Sequence, residues 1–253
     1  MFETTQHHDI TVLTMQHGKA NVQDLEFLHA FVERIDELER EEVGALVLTG
    51  SGSVFSAGVD LVRLVDGGGA YLREFLPALT TAFDRLFRFP RPVVAAVNGH
   101  AMAGGCVFVC ACDRRLMAAG TARIGVTELR VGVPFPTVAF EIVRYAAGSR
   151  WTQELVLLAE TYEPEGALLR GLVDEVVPPD ELLPRALDVA ARLGAVPRVT
   201  FGLTKRQLRA PTLARIAAHQ EQFEHEIVGV WAQPEMRRAI AAFVDANLRR
   251  GRN

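Results

Sequence analysis

Cysteine is scarce in this 253-residue chain: Cys106, Cys110 and Cys112, all in one apolar segment. The odd number and crowding exclude a disulfide framework. No CxxC or Cys/His ligand spacing exists, so no zinc or other metal site is expected. A reducing, cytoplasmic setting is the expectation. Excess positive charge is also missing. Net charge is −4 and there is no run of lysines, so no nucleic-acid partner and no anionic membrane surface are expected. No apolar run approaches the roughly 20 residues of a membrane span. The polar start, MFETTQHHDITVL, lacks an apolar core of signal-peptide length. No low-complexity linker divides the chain. With 49% hydrophobic residues, it suits one well-buried domain with any appendage packed against it.

What is present alternates strand and helix. Ile10–Met15 reads as a first strand, His17–Asn21 as a turn, and Asp24–Glu41 as an amphipathic helix with Leu25, Leu28, Phe31, Ile35 and Leu38 on one face. Residues 44–49 and 93–97 are short, continuous apolar runs, the pattern of strands buried on both sides. Tyr71–Phe89 is helical by period, and Gly67–Gly69 before it is a soft segment suited to a mobile lid. Strand candidates Arg114–Ala118 and Ala122–Gly125 follow. After Pro136 the segments 137–147, 151–159, 180–193, 199–209, 213–232 and 235–247 all read as helices.

Two stretches carry the chemistry. SVFSAGVDL (Ser53–Leu61) and AAVNGHAMAGGCVFVCACD (Ala95–Asp113) each place glycine at the mouth of a predicted helix: Gly58 before Val59–Val65, and Gly104–Gly105 before Cys106–Ala111. The first N–H groups of a helix have no partner inside it, and its dipole is positive there. Glycine lets a ligand approach those groups. Two such mouths facing one point make a two-donor hole for an oxygen that becomes negative during reaction.

Together with RIGVTELRVG (Arg123–Gly132), these stretches resemble the enoyl-CoA hydratase/isomerase, or crotonase, superfamily from about Thr11 to the C-terminus. The resemblance implies an α/β fold: a β/β/α spiral core over 1–195, then a C-terminal helical trimerisation region over 196–253, giving a homotrimer or a dimer of trimers. The apolar stripe Phe223, Ile227, Val230 and Trp231 suits burial between subunits as well as packing within one.

The resemblance also assigns roles. The oxyanion donors would be the backbone N–H groups of Val59 and Gly104. Ala103 stands where the family has the first glycine of a triplet; alanine supplies the same backbone, and the change is expected to be tolerated. Hydratases of the family use two glutamates. Val107 occupies the first position and cannot exchange a proton; Glu128, in IGVTE, occupies the second. Thr127 replaces the usual proline beside it, and GVPFP (Gly132–Pro136) replaces a glycine-rich run. One carboxyl can take a proton from C2 or C4 of an enoyl thioester and return it to the other carbon. An apolar pocket would raise its pKa toward neutrality.

The substrate itself would carry coenzyme A, and no separate cofactor is implied. Lys19, Ala20, Val22, Ser56 and Ala57 are the carry-over positions for its adenine, and Arg63 and Lys205 offer cations for its phosphates. His100 and Asn98 beside the second hole, Asp60 as a helix-start charge, Asp113 paired with Arg114 and Arg115, and Glu154 on a solvated helix face read as structural. Δ3,Δ2-enoyl-CoA isomerisation by Glu128 is thus favoured over 2-enoyl-CoA hydration. The alternatives are a non-catalytic acyl-CoA-binding protein and a hydratase or hydrolase variant, for which His100 is the only hint.

Overall fold

A computed structural model describes residues 1–247. The last six residues of the C-terminal region expected over 196–253 lie outside them. After an edge strand, β1 (Phe2–His7), the chain winds four times through the same sequence of parts: a strand of the main sheet, a short strand of a second layer, and a helix. The first winding is β2 (Ile10–Met15), β3 (Val22–Gln23) and α1 (Leu25–Arg40). The second is β4 (Ala45–Gly50), β5 (Val54–Ser56) with β6 (Gly58–Val59), and α2 (Leu61–Arg88). The third is β7 (Val93–Val97), β8 (His100–Met102) and α3 (Gly104–Ala111). The fourth is β9 (Arg114–Ala118), β10 (Ile124–Gly125) and the short α4 (Glu128–Val131). Then come α5 (Thr137–Leu158), α6 (Pro164–Leu169), β11 (Glu175–Val177), α7 (Leu182–Gly194), α8 (Arg198–Trp231) and α9 (Pro234–Asn247).

The main sheet runs β1-β2-β4-β7-β9-β11, parallel throughout except for β1, which pairs antiparallel with β2. Its interior strands are covered on both faces. In β4, Leu46 and Leu48 join the larger core with α1, α2, α3 and α5, while Ala45 and Val47 join a smaller one against α7. That two-sided burial is what a continuous apolar run encodes. The expected first strand is therefore an interior one. The edge strand before it, FETTQH, went unread because its middle residues are polar and exposed and leave no apolar periodicity.

The helices follow their residues closely. Asp24 caps α1 by accepting the Phe27 N–H at 2.8 Å, and Phe27, Leu28, Phe31, Ile35 and Leu38 are buried. Each large apolar side chain so buried stabilises the fold by about 2 kcal/mol. Gly67–Gly69 lies inside α2 as a kink at Gly68 (φ 60°), with the Arg237 guanidinium of α9 beside it and bonded to Val65 O at 2.8 Å. The expected lid segment is thus pinned between two helical stretches. In the same way α8 runs unbroken through Pro211, where two helices were expected. Lys205 and Arg209 before the proline and Thr212 and Ile216 after it are all buried, so tertiary contacts override the lost N–H.

Candidate active site

The two glycine stretches converge. In the second layer β5 and β10 flank β8, and β6 pairs with β3. Asp60 N donates to Gln23 O at 3.1 Å, closing the β3–β6 ladder. The N–H of Val59, one residue back, consequently points to the opposite side. Gly58 touches the start of α3: a Cβ on it would stand 3.1 Å from Gly104 N and 2.5 Å from Met102 O. Gly58 (φ 80°) is glycine because β6 and the α3 mouth touch there. Gly105 is glycine because a Cβ would overlap Ser56 O. Leu61, and not Val59, opens the first of these helices, with Asp60 as its N-cap accepting the Val62 and Arg63 N–H groups.

α3 is rigidly seated. Every residue of it is buried, and the Phe108 ring stacks on Phe31 at 4.6 Å and meets Phe83 edge-on at 5.3 Å. Arg209 holds its far end by donating to Ala111 O at 3.1 Å and to Asp113 at 2.7 Å. A cation there complements the helix dipole whose positive end lies at Gly104. Ala103, the N-cap, has φ 48° and ψ −118°, a conformation that L side chains rarely adopt. The alanine is accommodated, but at the cost of backbone strain on the order of 1–3 kcal/mol. Ala103→Gly is expected to raise stability by about 1 kcal/mol after the greater freedom of glycine in the unfolded chain is offset. Chemical denaturation measures this, and an unchanged midpoint would remove the strain argument.

Gln23 lies behind Gly104. It is fully buried, its Oε1 occupies the place a Gly104 Cβ would need, and neither end of its amide has a hydrogen-bond partner. An unsatisfied buried polar group costs about 1–3 kcal/mol. Gln23→Leu, of similar volume, is therefore expected to raise the melting temperature by several degrees; a fall would show that the amide is satisfied in solution.

Between these two segments and the helices lies a cavity of about 390 Å³. Its walls include Ala20, Val22, Ala57, Val59, Gly104, Leu79, Phe83, Val131, Val133, Ala139, Trp231 and Phe243, with Glu128 among them. Glu128 opens α4 directly after β10, and Val133 N and Gly132 N both return to its carbonyl. The residue is half-buried, but its Oε2 is shielded from solvent and has no partner. Burial raises the carboxyl's pKa from 4.5 to about 7, partly offset by the backbone N–H groups of Glu128 and Thr127. Asp60 also lines the cavity, but its Oδ1 holds the start of α2. Val107 is buried in the core on α3.

The remaining predicted positions divide clearly. Ala20, Val22 and Ala57 come together, Ala57 N donating to Ala20 O at 2.9 Å. Ser56 ties the two segments, donating to Asn21 O at 2.8 Å and accepting from Gly58 N. Asn21, which the sequence reading passed over, stitches the turn to β5 by donating to Val54 O and Phe55 O. Lys19 is exposed. Arg63 faces Glu26 and Asp24, at 2.9 and 3.2 Å, so its charge is matched within the chain. Lys205 is corrected as a phosphate ligand. It is buried, bound to Asp113 at 2.6 Å and to Arg91 O at 2.9 Å, and burial lowers its pKa to about 8.

Asp113 thus pairs with Lys205 and Arg209, and the expected partner Arg115 goes to Asp174 at 2.7 Å. His100 is exposed and outside the cavity walls, its Nδ1 accepting from Arg123 N. Asn98 holds Gly50 and Gly52, and Glu154 pairs with Arg170 at 2.7 Å. Trp231 and Phe243 were missed as cavity walls. On their own helices they read only as apolar stripes, and nothing local says which surface such a stripe meets. No helix among the described residues is long and apolar enough to cross a membrane.

A parallel β/β/α core, two glycine segments that meet at one cavity and a desolvated carboxyl beside them define an α/β protein with an apolar site. The family model described as enoyl-CoA hydratase/isomerase matches residues 5–247, and the chain belongs to that family, with the crotonase fold. It is 30% identical over 215 residues to enoyl-CoA delta isomerase 1, mitochondrial, of Rattus norvegicus (84% of this chain, 74% of that protein). To a putative enoyl-CoA hydratase of Thermus thermophilus it is 33% identical over 214 residues (83% and 84%). The solved human mitochondrial delta3-delta2-enoyl-CoA isomerase superposes with a TM-score of 0.92 at 25% identity, covering 100% of this chain and 99% of that one. The chain is accordingly an enzyme of this family, which acts on acyl-CoA thioesters.

Proposed function

We propose that the protein is a Δ3,Δ2-enoyl-CoA isomerase that uses Glu128 as its single acid and base. The ionised carboxylate takes a proton from C2 of a 3-enoyl thioester. The C–H electron pair moves into the conjugated dienolate, and the thioester oxygen takes up the negative charge. The N–H groups of Val59 and Gly104 donate to that oxygen and lower the barrier most where charge has developed. Glu128, now protonated, returns the proton to C4 and leaves the 2-enoyl thioester. A carboxyl titrating near 7 is matched to both halves of this exchange.

The observation that carries the reading is that, among the described residues, Glu128 is the one cavity-lining carboxyl not engaged in capping a helix, while the place of a hydratase's other glutamate is a buried valine. The names of the rat and human relatives favour isomerisation; that of the Thermus relative favours hydration. Incubation with 3-enoyl-CoA and 2-enoyl-CoA separately discriminates them. Conversion of the former with slow hydration of the latter is expected. Fast hydration undiminished in Glu128→Gln would defeat the single-base mechanism, and tight binding without turnover of either would make the protein a binder.

A further inference from the structure

A second apolar space lies behind the cavity: an open groove of about 470 Å³ between the Pro134–Phe140 segment and the outer face of α8. We infer that Trp231 is the end wall of the acyl site and that this groove receives the distal carbons of chains too long for the cavity. The inference rests on reading the cavity as an acyl-CoA site.

Neighbouring residues of the loop and of α8 line opposite sides of the wall between the two spaces. Along the loop, Val133 and Pro136 face the cavity while Pro134 and Phe135 face the groove. Along α8, Trp231 faces the cavity and Val230 the groove. A hydrogen bond from the indole Nε1–H to Pro134 O at 3.1 Å joins the two halves. The two prolines supply no N–H with which the loop could be tied more firmly.

With the thioester oxygen at Val59 and Gly104 and the reacting carbons beside Glu128, further carbons must run along the apolar walls, and Trp231 closes them. Both spaces are lined mainly by apolar side chains, with Thr137, His219 and Glu226 at the groove, so one hydrocarbon chain suits both.

The test is titration calorimetry of the full chain with saturated acyl-CoA thioesters from butanoyl to hexadecanoyl, which needs no turnover. Burying each methylene tightens binding about fourfold. For the wild type this increment is expected to cease at one chain length. Trp231→Leu is expected to move that point out by two or more carbons, a gain of about tenfold or more beyond it, with butanoyl-CoA little changed. Trp231→Leu with Ile227→Trp, which refills the groove, is expected to abolish the gain. An unchanged break-point in Trp231→Leu would overturn the wall, and a gain that survives the double change would overturn the groove. Ile227→Trp alone altering the subunit count, with the profile unmoved, would make the groove a contact between copies of the chain. Should Trp231→Leu fail to fold, Ala139→Phe shortens the cavity from α5 and is expected to bring the break-point inward; no movement would overturn the assignment. Failure of the wild type to isomerise any chain length would count against the proposed reaction and leave this binding profile intact.

Discussion

Replacing Glu128 with Gln is expected to lower kcat for 3-enoyl-CoA isomerisation by about 10³-fold, with KM changed only a few-fold. Gln keeps the shape but cannot exchange a proton, and removal of a positioned acid/base group weakens catalysis by roughly 10²–10⁴. The same change is expected to stabilise the fold, because it removes the burden of ionising a carboxyl in an apolar cavity. The sign follows from the direction of the shift. Burial raises the folded-state pKa from 4.5 to about 7, so the folded protein holds its proton where the unfolded chain has lost it. Stability therefore falls as pH rises from about 4.5 to about 7 and is lowest, for this group, above that window. At about 1.4 kcal/mol per pH unit, Glu128→Gln gains about 3 kcal/mol at pH 8 and nothing at pH 4. Activity runs the other way: kcat/KM rises through about pH 7, because proton abstraction needs the ionised form, and then stays level. Rate profiles and denaturation at both pH values check this. A mutant that keeps wild-type turnover, or a rate that falls as pH rises through 7, would exclude Glu128 as the base.

The second large effect is expected at Gly58. A methyl group there meets Met102 O at 2.5 Å and Gly104 N at 3.1 Å, and the φ of 80° strains any L residue. Relief requires β6 and the mouth of α3 to part, which separates the Val59 and Gly104 donors. Loss of one such donor lowers kcat by about 10²–10³, so Gly58→Ala is expected to lose about 10² in kcat with a smaller change in KM. Gly52→Ala is the control: its φ is 66°, but nothing lies within 4 Å of the added methyl. It carries the backbone strain without the contact and is expected to keep full turnover. Equal activity in the two variants would show that the donors do not depend on this close approach.

Three features of the site were legible in one dimension because each has a local cause. Gly104–Gly105 before an apolar segment marks the mouth of α3, whereas Gly58 lies in a strand that ends two residues before α2. Continuous apolar runs at 44–49 and 93–97 mark the doubly buried strands β4 and β7. Val107 where a second acid would stand narrows the chemistry. Other features had no local signal. The strain at Ala103 exists only because β8 must turn sharply into α3. Lys205 and Arg63 read as free cations because pairing with Asp113, and with Asp24 and Glu26, joins residues far apart in sequence. β1 was invisible because an exposed edge strand buries too little to leave a pattern.

By itself the sequence determined the family and the order of its two glycine segments and Glu128, since these depend on which residues follow one another. Only the tertiary structure decided that Val59 and Gly104 line one cavity, that Glu128 is desolvated there, and that Trp231 and Phe243 from the last two helices close it. Desolvation and convergence are sums over neighbours brought together by four windings of the chain, and no single stretch contains those neighbours.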